Sequence, residues 1–143
     1  MDWKFELMVV PVADVDRAKA FYEDRLGFHV DVDFSAGEDF RVVQLTPPGS
    51  ACSVSLMRNA DTAGTLQGMH LVVSDLDAAR DELLGRGAPA SEIYHFEDGQ
   101  QQPGAHPERV DYGSFLSVND PDGNGWLVQE VGRGRTGASG GNG

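Results

Sequence analysis

The sequence contains little cysteine, few basic residues and no long apolar run. Cys52 is the sole cysteine among 143 residues, which excludes an intramolecular disulfide and a cysteine-based zinc cage. Only 11 basic side chains face 23 acidic ones, and the net charge of −12 would repel phosphate backbones. The apolar stretches are far shorter than a membrane span, and the first ten residues lack the pattern of a secretory signal. We therefore expect a cytoplasmic protein that binds neither nucleic acid nor membrane.

The remaining composition is that of a folded globular chain. Apolar residues make up 40% of the sequence and fall in short, separated runs. A chain of this length fits one domain with a core of its own. We predict a single domain over residues 1–131, followed by a disordered, glycine-rich tail over residues 132–143.

An internal repeat divides the predicted domain into two halves. The stretch LMVVPVADVDRAKAFYEDRLGF, residues 7–28, is echoed by GMHLVVSDLDAARDELLGRGAP, residues 68–89. In each copy an apolar, strand-like run ends at an aspartate, Asp14 or Asp75, and an amphipathic run follows and stops at a glycine. This order predicts a strand, an aspartate N-cap and a helix with a glycine at its carboxyl end.

A second echo links the ends of the two halves. TPPGSACSVSLM, residues 46–57, matches DPDGNGWLVQEV, residues 120–131, and both read as a turn running into a strand. Each half also has room for two more strands between its helix and this turn. The four runs with strand-like alternation are residues 28–34, 39–45, 90–96 and 114–118. Each half is therefore predicted to be β-α-β-β-β, as modules over about residues 4–58 and 67–131.

Two segments fall outside the repeat. Residues 59–67 form a polar linker between the modules. Residues 97–111 (EDGQQQPGAHPERVD) are predicted to form a long loop rich in glycine, proline and glutamine. Such a loop either covers a binding site or is an insertion without a role, and the sequence leaves both interpretations open.

The runs VPVADVDRAKAFYEDRLGF and NDPDGNGWLVQEV resemble the vicinal oxygen chelate superfamily. That group includes glyoxalase I, extradiol dioxygenases and bleomycin-resistance proteins. The resemblance implies an α+β fold in which two tandem βαβββ modules form a curled mixed sheet around a cleft, with the helices outside. It covers nearly the whole chain but does not select one activity, because the fold carries many.

The resemblance also implies where the family holds its metal, through ligands on the first and last strands of each module. The matching positions here are Leu7, Ser53, Gly68 and Leu127. None carries a good metal ligand, so no metal site and no cofactor are expected. A shift of two residues would bring in His70 and Gln129, but only Val9 and Ser55 from the first module. A divalent ion in an unusual position therefore stays open.

Strand alternation extends this interpretation to the residues lining the implied cleft. They are Leu7, Val9, Ser53, Ser55, Gly68, His70, Leu127 and Gln129, and His95, near a strand end beside the long loop, is a weaker candidate. This mostly apolar set with sparse polar groups is typical of a site for a small organic molecule. His70 is the candidate for acid or base chemistry, since an imidazole titrates near neutrality. The structural alternative is a histidine that packs quietly on its strand.

Three functions follow from these residues. The first is a small-molecule-binding protein of the glyoxalase/bleomycin-resistance type, which binds an apolar or aromatic ligand in the cleft without metal. The second is an enzyme of the same superfamily, with His70 as acid or base and Gln129 or His95 polarising a carbonyl. The third is a structural or regulatory partner whose cleft is vestigial. The expected partner is a small molecule, and a homodimer is left open.

Overall fold

The computed structural model describes residues 1–133, so the predicted tail lies outside the described residues except for its first two positions. The chain divides into two compact units. The first contains residues 1–67 together with residues 120–124, and the second contains the rest of the described chain. No helix within residues 1–133 is long and apolar enough to span a membrane.

The first unit contains a four-stranded mixed sheet and one helical segment. Its elements are β1 (Leu7–Val12), α1 (Val15–Ala20) with a π-helical continuation (Phe21–Arg25), β2 (His29–Ala36), β3 (Phe40–Thr46) and β4 (Ser53–Arg58). The sheet order is β1-β4-β3-β2, with β1 and β4 parallel and the other neighbours antiparallel. The βαβββ order predicted for this module is confirmed.

The helix of the first unit begins where the sequence predicts it. The Asp14 side chain accepts a hydrogen bond from the Arg17 backbone N–H at 3.1 Å, which satisfies one of the free donors at a helix start. Alternation along β1 buries Val10 and Val12 completely, while Val9 is 47% exposed. The sheet therefore has one face covered by its core and one face that is more open.

The turn at residues 120–124 joins the first unit through side chains of the two family-like runs. The Tyr22 hydroxyl donates to Asp120 Oδ2 at 2.8 Å, and both residues are buried. Asn124 Nδ2 donates to the Pro11 carbonyl at 2.9 Å, and Asn124 Oδ1 accepts from the Leu66 N–H at 3.1 Å. Asn124 therefore holds backbone in place, and residues 120–124 form the turn that the sequence predicts before the last strand.

The second unit contains a five-stranded mixed sheet and one helix. Its elements are β5 (Met69–Val73), α2 (Leu76–Gly85), β6 (Tyr94–Glu97), β7 (Gln100–Pro103), β8 (Phe115–Asn119) and β9 (Gly125–Glu130). The sheet order is β5-β9-β8-β6-β7, with β5 and β9 parallel. Leu76, Leu116 and Val128 form the buried core between α2 and the sheet. The predicted α+β class is confirmed in both units.

One sequence prediction is wrong in the second unit. Residues 97–111 are not a continuous loop, because β7 pairs with β6 in an antiparallel hairpin. Asp98 and Gly99 form its two-residue turn, with φ of 50° and 77°. An Asp-Gly pair suits such a turn because both positions need positive φ. The second module therefore has one strand more than the predicted β-α-β-β-β.

Candidate functional site

The second sheet has an open face, defined as the face opposite α2. Leu71 and Val73 of β5 pack against the core beneath α2, so strand alternation turns His70 and Val72 to the open face. In the register of the parallel pair, His70 lies opposite Leu127, and Val72 lies opposite Gln129. These residues of the predicted site are therefore brought together. Gly68 lies one residue before β5.

An aromatic cluster covers the β6 and β8 part of this open face. The rings of Tyr94 and Phe115 stack at 5.7 Å between centroids, and Phe96 meets Phe115 edge-on at 5.5 Å. The Tyr94 hydroxyl shares a 2.7 Å hydrogen bond with Ser117 Oγ. Phe96 is 47% exposed, so its ring offers a surface to a ligand. These residues were not predicted from the sequence, although the spacing of Tyr94 and Phe96 already places them on one strand face.

His70 is held in a defined orientation on the open face. Its Nδ1 lies 2.6 Å from the Gly68 carbonyl oxygen. Because a carbonyl only accepts hydrogen bonds, Nδ1 carries the proton. The neutral ring then has its lone pair on Nε2, which has no hydrogen-bond partner among residues 1–133. The side chain is exposed and able to accept a proton or a hydrogen bond.

His95 is not brought together with His70. It alternates with Tyr94 and Phe96 on β6 and therefore points away from the open face, where it is only 5% exposed. Nδ1 lies 2.7 Å from the Gly104 carbonyl and Nε2 lies 3.1 Å from a Glu97 carboxylate oxygen. Both partners are acceptors, so these bonds favour the imidazolium. The Gly104 carbonyl and the Glu97 carboxylate together raise the pKa of His95.

The first sheet also has an open face, opposite the side that packs on α1. The predicted site residues of this sheet share it: Leu7 lies opposite Ser53, and Val9 lies opposite Ser55. Ser53 and Ser55 are 6% and 4% exposed, and Gln44 of β3 lies opposite Ser55. The strand spacing therefore placed Leu7, Val9, Ser53 and Ser55 on one face correctly.

A chain of polar side chains crosses this face from β2 to β4. Thr46 Oγ1 donates to Asp31 Oδ2 and lies 2.6 Å from Ser53 Oγ. Asp31 is the extra residue of a bulge, where the register between β2 and β3 shifts between Val30 and Val32. Such bulges redirect a side chain to the other face of a sheet. Asp31 and Thr46 were not predicted from the sequence, because the alternation pattern does not show a bulge.

Carboxylates also gather on the α2 side of the second unit. Ligand atoms of Asp75, Asp77 and Glu130 lie within 4.8 Å of one another. Arg109 Nε donates to Glu130 at 2.9 Å, and the Leu76 N–H donates to Glu130 at 2.9 Å. Burial acts to raise the pKa of Glu130, but the donors outweigh it and the pKa is lowered. The cluster is therefore partly balanced by guanidinium groups, and Glu130 secures the start of α2.

A groove of about 1120 Å³ lies in the second unit between α2, the β6–β7 hairpin and the loop after β7. Both arginines that line it are engaged with other groups of the protein. Arg80 Nε donates to the Ser91 carbonyl at 2.8 Å, and Arg109 pairs with Asp77 at 2.9 Å. Because both guanidinium groups are already engaged, the groove offers an anionic ligand no free arginine among the described residues.

The sequence matches the family model of the Glyoxalase/Bleomycin resistance protein/Dioxygenase superfamily over residues 4–128. The chain belongs to this superfamily, as the two βαβ-containing units lead one to expect. No curated protein is significantly similar to it in sequence.

Solved structures of the same superfamily have the same fold. TnmS3, an antibiotic binding protein from Streptomyces sp. CB03234, is 28% identical with a TM-score of 0.70, over 91% of this chain and 97% of that one. A glyoxalase/bleomycin resistance protein from the same organism is 29% identical with a TM-score of 0.67, over 89% and 100% of the two chains. A superfamily member from Sphaerobacter thermophilus is 25% identical with a TM-score of 0.67, over 90% and 98%.

Proposed function

We propose that this chain is a small-molecule-binding protein that takes an apolar or aromatic ligand without the metal typical of its superfamily. The observation that carries the proposal is the cluster of Tyr94, Phe96 and Phe115 on the open face of the second sheet. Aromatic rings stack on flat ligands in offset or edge-on geometry and bury large apolar areas. A half-exposed ring in a fixed cluster is suited to such a contact, because little conformational entropy is lost on binding.

The residues at the family's metal positions do not fit a metal ion. Leu7, Gly68 and Leu127 have no side-chain ligand atom, and Ser53 Oγ is already hydrogen-bonded to Thr46. A neutral hydroxyl is in any case a poor ligand for a divalent ion on its own. Metal-dependent lyase or dioxygenase chemistry therefore has no support at these positions.

The comparisons support the class of ligand. TnmS3 is described as an antibiotic binding protein, and the alignment with it covers 91% of the length of this chain. Many antibiotics are large, partly aromatic molecules, which match a face with an aromatic cluster and few polar groups. We infer that this chain also binds a compound of that kind.

The proposal is tested by calorimetric titration of the purified protein with a panel of aromatic antibiotics and planar aromatic metabolites. At least one should bind, and Phe96→Ala should weaken it roughly tenfold through loss of stacking and buried area. Leu84→Ala is the matched control, because Leu84 on α2 is 45% exposed, close to the 47% of Phe96. The proposal fails if nothing in the panel binds, or if both variants bind like the wild type.

A second function is favoured by the orientation of His70. Its Nε2 lone pair lies on the open face, as a general base requires, and Gln129 on the same face could donate to a carbonyl. In that case the chain is a metal-independent enzyme acting on the ligand it binds. His70→Gln should then abolish conversion of the ligand while leaving its affinity within about twofold. Mass analysis of the ligand after incubation decides this, and unchanged ligand with the wild type rejects it.

A further inference from the structure

The open face of the first sheet exposes large apolar side chains that the proposed ligand site does not use. Val9 of β1 is 47% exposed, and Val32 and Phe34 of β2 are 43% and 53% exposed. Phe34 meets Phe40 of β3 edge-on, with 6.4 Å between the ring centroids, and Phe40 is 43% exposed. One row of paired residues crosses the sheet on this face: Val9, Ser55, Gln44 and Val32. The exposed side chains therefore belong to one continuous surface.

The segment before β1 extends this surface. The Ser53 N–H donates to the Glu6 carbonyl at 3.0 Å, so the bonding of β1 to β4 continues one residue before Leu7. Phe5 lies two residues before Leu7 and therefore on the same side of the strand. Phe5 is 69% exposed, and Trp3 is 91% exposed. Tryptophan and phenylalanine are seldom left in water to this extent, so their exposure calls for a function.

The same face carries little charge. Among the side chains that β1–β4 turn to it, Asp31 is the sole carboxylate, and there is no lysine or arginine. Asp33 and Arg41 of the same strands pair with each other on the α1 side. The chain as a whole has a net charge of −12, so two copies repel one another across most of their surface. On a face with one carboxylate that repulsion is small.

The exposed apolar area is large enough for a stable interface. The six side chains are Trp3, Phe5, Val9, Val32, Phe34 and Phe40. With about 200 Å² for an aromatic residue and about 150 Å² for a valine, their exposed fractions amount to roughly 700 Å². The largest apolar patch of a typical monomer is about 300–600 Å², and one partner of a stable complex buries about 800 Å².

We propose that the open face of the first sheet, extended by Trp3 and Phe5, is the surface through which two copies of this chain associate about a two-fold axis. A two-fold interface places the same patch against itself, which an apolar, charge-poor face permits. An unlike partner of an acidic protein would instead be recognised by complementary charge. The association does not depend on ligand binding by the second unit.

Light scattering during size-exclusion chromatography of the full chain measures this association. Between about 1 and 300 µM the mass of the wild type should rise to that of two chains. Phe34→Asp places an unpaired carboxylate in the interface from each copy and should weaken the association roughly tenfold or more. Val32→Asp should do the same, and both variants should keep the wild-type circular dichroism because their side chains lie outside the core. Leu84→Asp is the matched control, because Leu84 on α2 is 45% exposed and lies outside this face.

Tryptophan fluorescence and salt dependence test the assignment to this face. Acrylamide quenching reports mainly on Trp3, since Trp126 is only 4% exposed. Quenching should fall as the wild type associates and should stay high in Phe34→Asp. Salt screens the repulsion between the two acidic chains, so the association should become tighter as salt rises.

The proposal is overturned if the wild type keeps the mass of one chain over this range, or if Phe34→Asp and Val32→Asp associate like the wild type. Masses that rise beyond two chains would show open-ended association and contradict the two-fold pairing. Association that weakens with salt, or that leaves the quenching of Trp3 unchanged, would place the interface on another part of the surface.

Discussion

The three tyrosines of this chain offer a graded test of how its buried hydrogen bonds stabilise it. Tyr22 is completely buried and donates to the Asp120 carboxylate at 2.8 Å. Tyr94 is half-buried and shares a bond of 2.7 Å with the neutral Ser117 hydroxyl. Tyr112 is 59% exposed. Replacing each by phenylalanine removes one hydroxyl group and leaves the ring in place.

The expected losses follow from the partners. A hydrogen bond to a charged group contributes about 1.5–3 kcal/mol, so Tyr22→Phe should lower the free energy of unfolding by about that amount. Asp120 keeps its bonds from the Asp122 and Asn124 N–H groups and from Asn124 Nδ2, which prevents a larger loss. Tyr94→Phe should cost about 0.5–1.5 kcal/mol, and Tyr112→Phe should stay within about 0.5 kcal/mol.

Urea unfolding followed by circular dichroism measures this order. An unchanged slope of the free energy with urea concentration shows that the variants differ in stability and not in compactness. For a chain of this size roughly 4 °C in Tm corresponds to 1 kcal/mol, so Tyr22→Phe should lower Tm by roughly 6–12 °C. If the two units unfold separately, Tyr22→Phe should shift one transition and Tyr94→Phe the other. Equal stability of the Tyr22 and Tyr112 variants would refute the structural role assigned to the Tyr22–Asp120 bond.

Two further predictions concern pH and backbone conformation. Because the folded-state pKa of His95 is raised, its bonds stabilise the protein below the ordinary histidine pKa and are lost as pH rises through the raised value. Urea unfolding from pH 5.5 to 8.5 measures the free energy of unfolding, which should fall at a higher pH in the wild type than in Glu97→Gln. Coincident pH profiles of the two proteins would contradict this prediction. Gly64 and Gly99 both have positive φ, of 82° and 77°, but a Cβ at Gly64 would lie 2.1 Å from the Asp122 carbonyl oxygen, whereas at Gly99 it meets nothing within 4 Å. Gly99→Ala should therefore cost about 1–2 kcal/mol and Gly64→Ala about 1–3 kcal/mol more, and equal costs would show that the turn gives way freely.

Local signals in the sequence determined most of the fold. The repeated strand–aspartate–helix–glycine pattern predicts both helix starts, and the structure shows Asp14 and Asp75 as their caps. These signals depend on residues a few positions apart, so they can be read along the chain. Superfamily membership follows from the same patterns. Strand β7 was missed although its Asp-Gly turn is also a local signal that can be read along the chain.

Strand alternation also determined part of the candidate site. It placed Leu7, Val9, Ser53 and Ser55 on one face of the first sheet, where the structure shows them in register. Each of these assignments depends only on whether a residue lies at an even or odd spacing within its own strand. By the same alternation Glu130 lies on the face opposite Gln129, where it accepts the Leu76 N–H at the start of α2.

Tertiary structure decided which side chains from different strands touch. The stacking of Tyr94 on Phe115 depends on the pairing of β6 with β8, which are separated along the chain by β7 and the loop after it and pair at a single position. The chain from Asp31 through Thr46 to Ser53 depends on a bulge and on two strand pairings at once. His95 points away from the open face because it alternates with Tyr94 and Phe96 on β6, and on that other side both of its ring nitrogens meet hydrogen-bond acceptors. Such contacts are set by register and by hydrogen-bond geometry in space, and a sequence pattern carries neither.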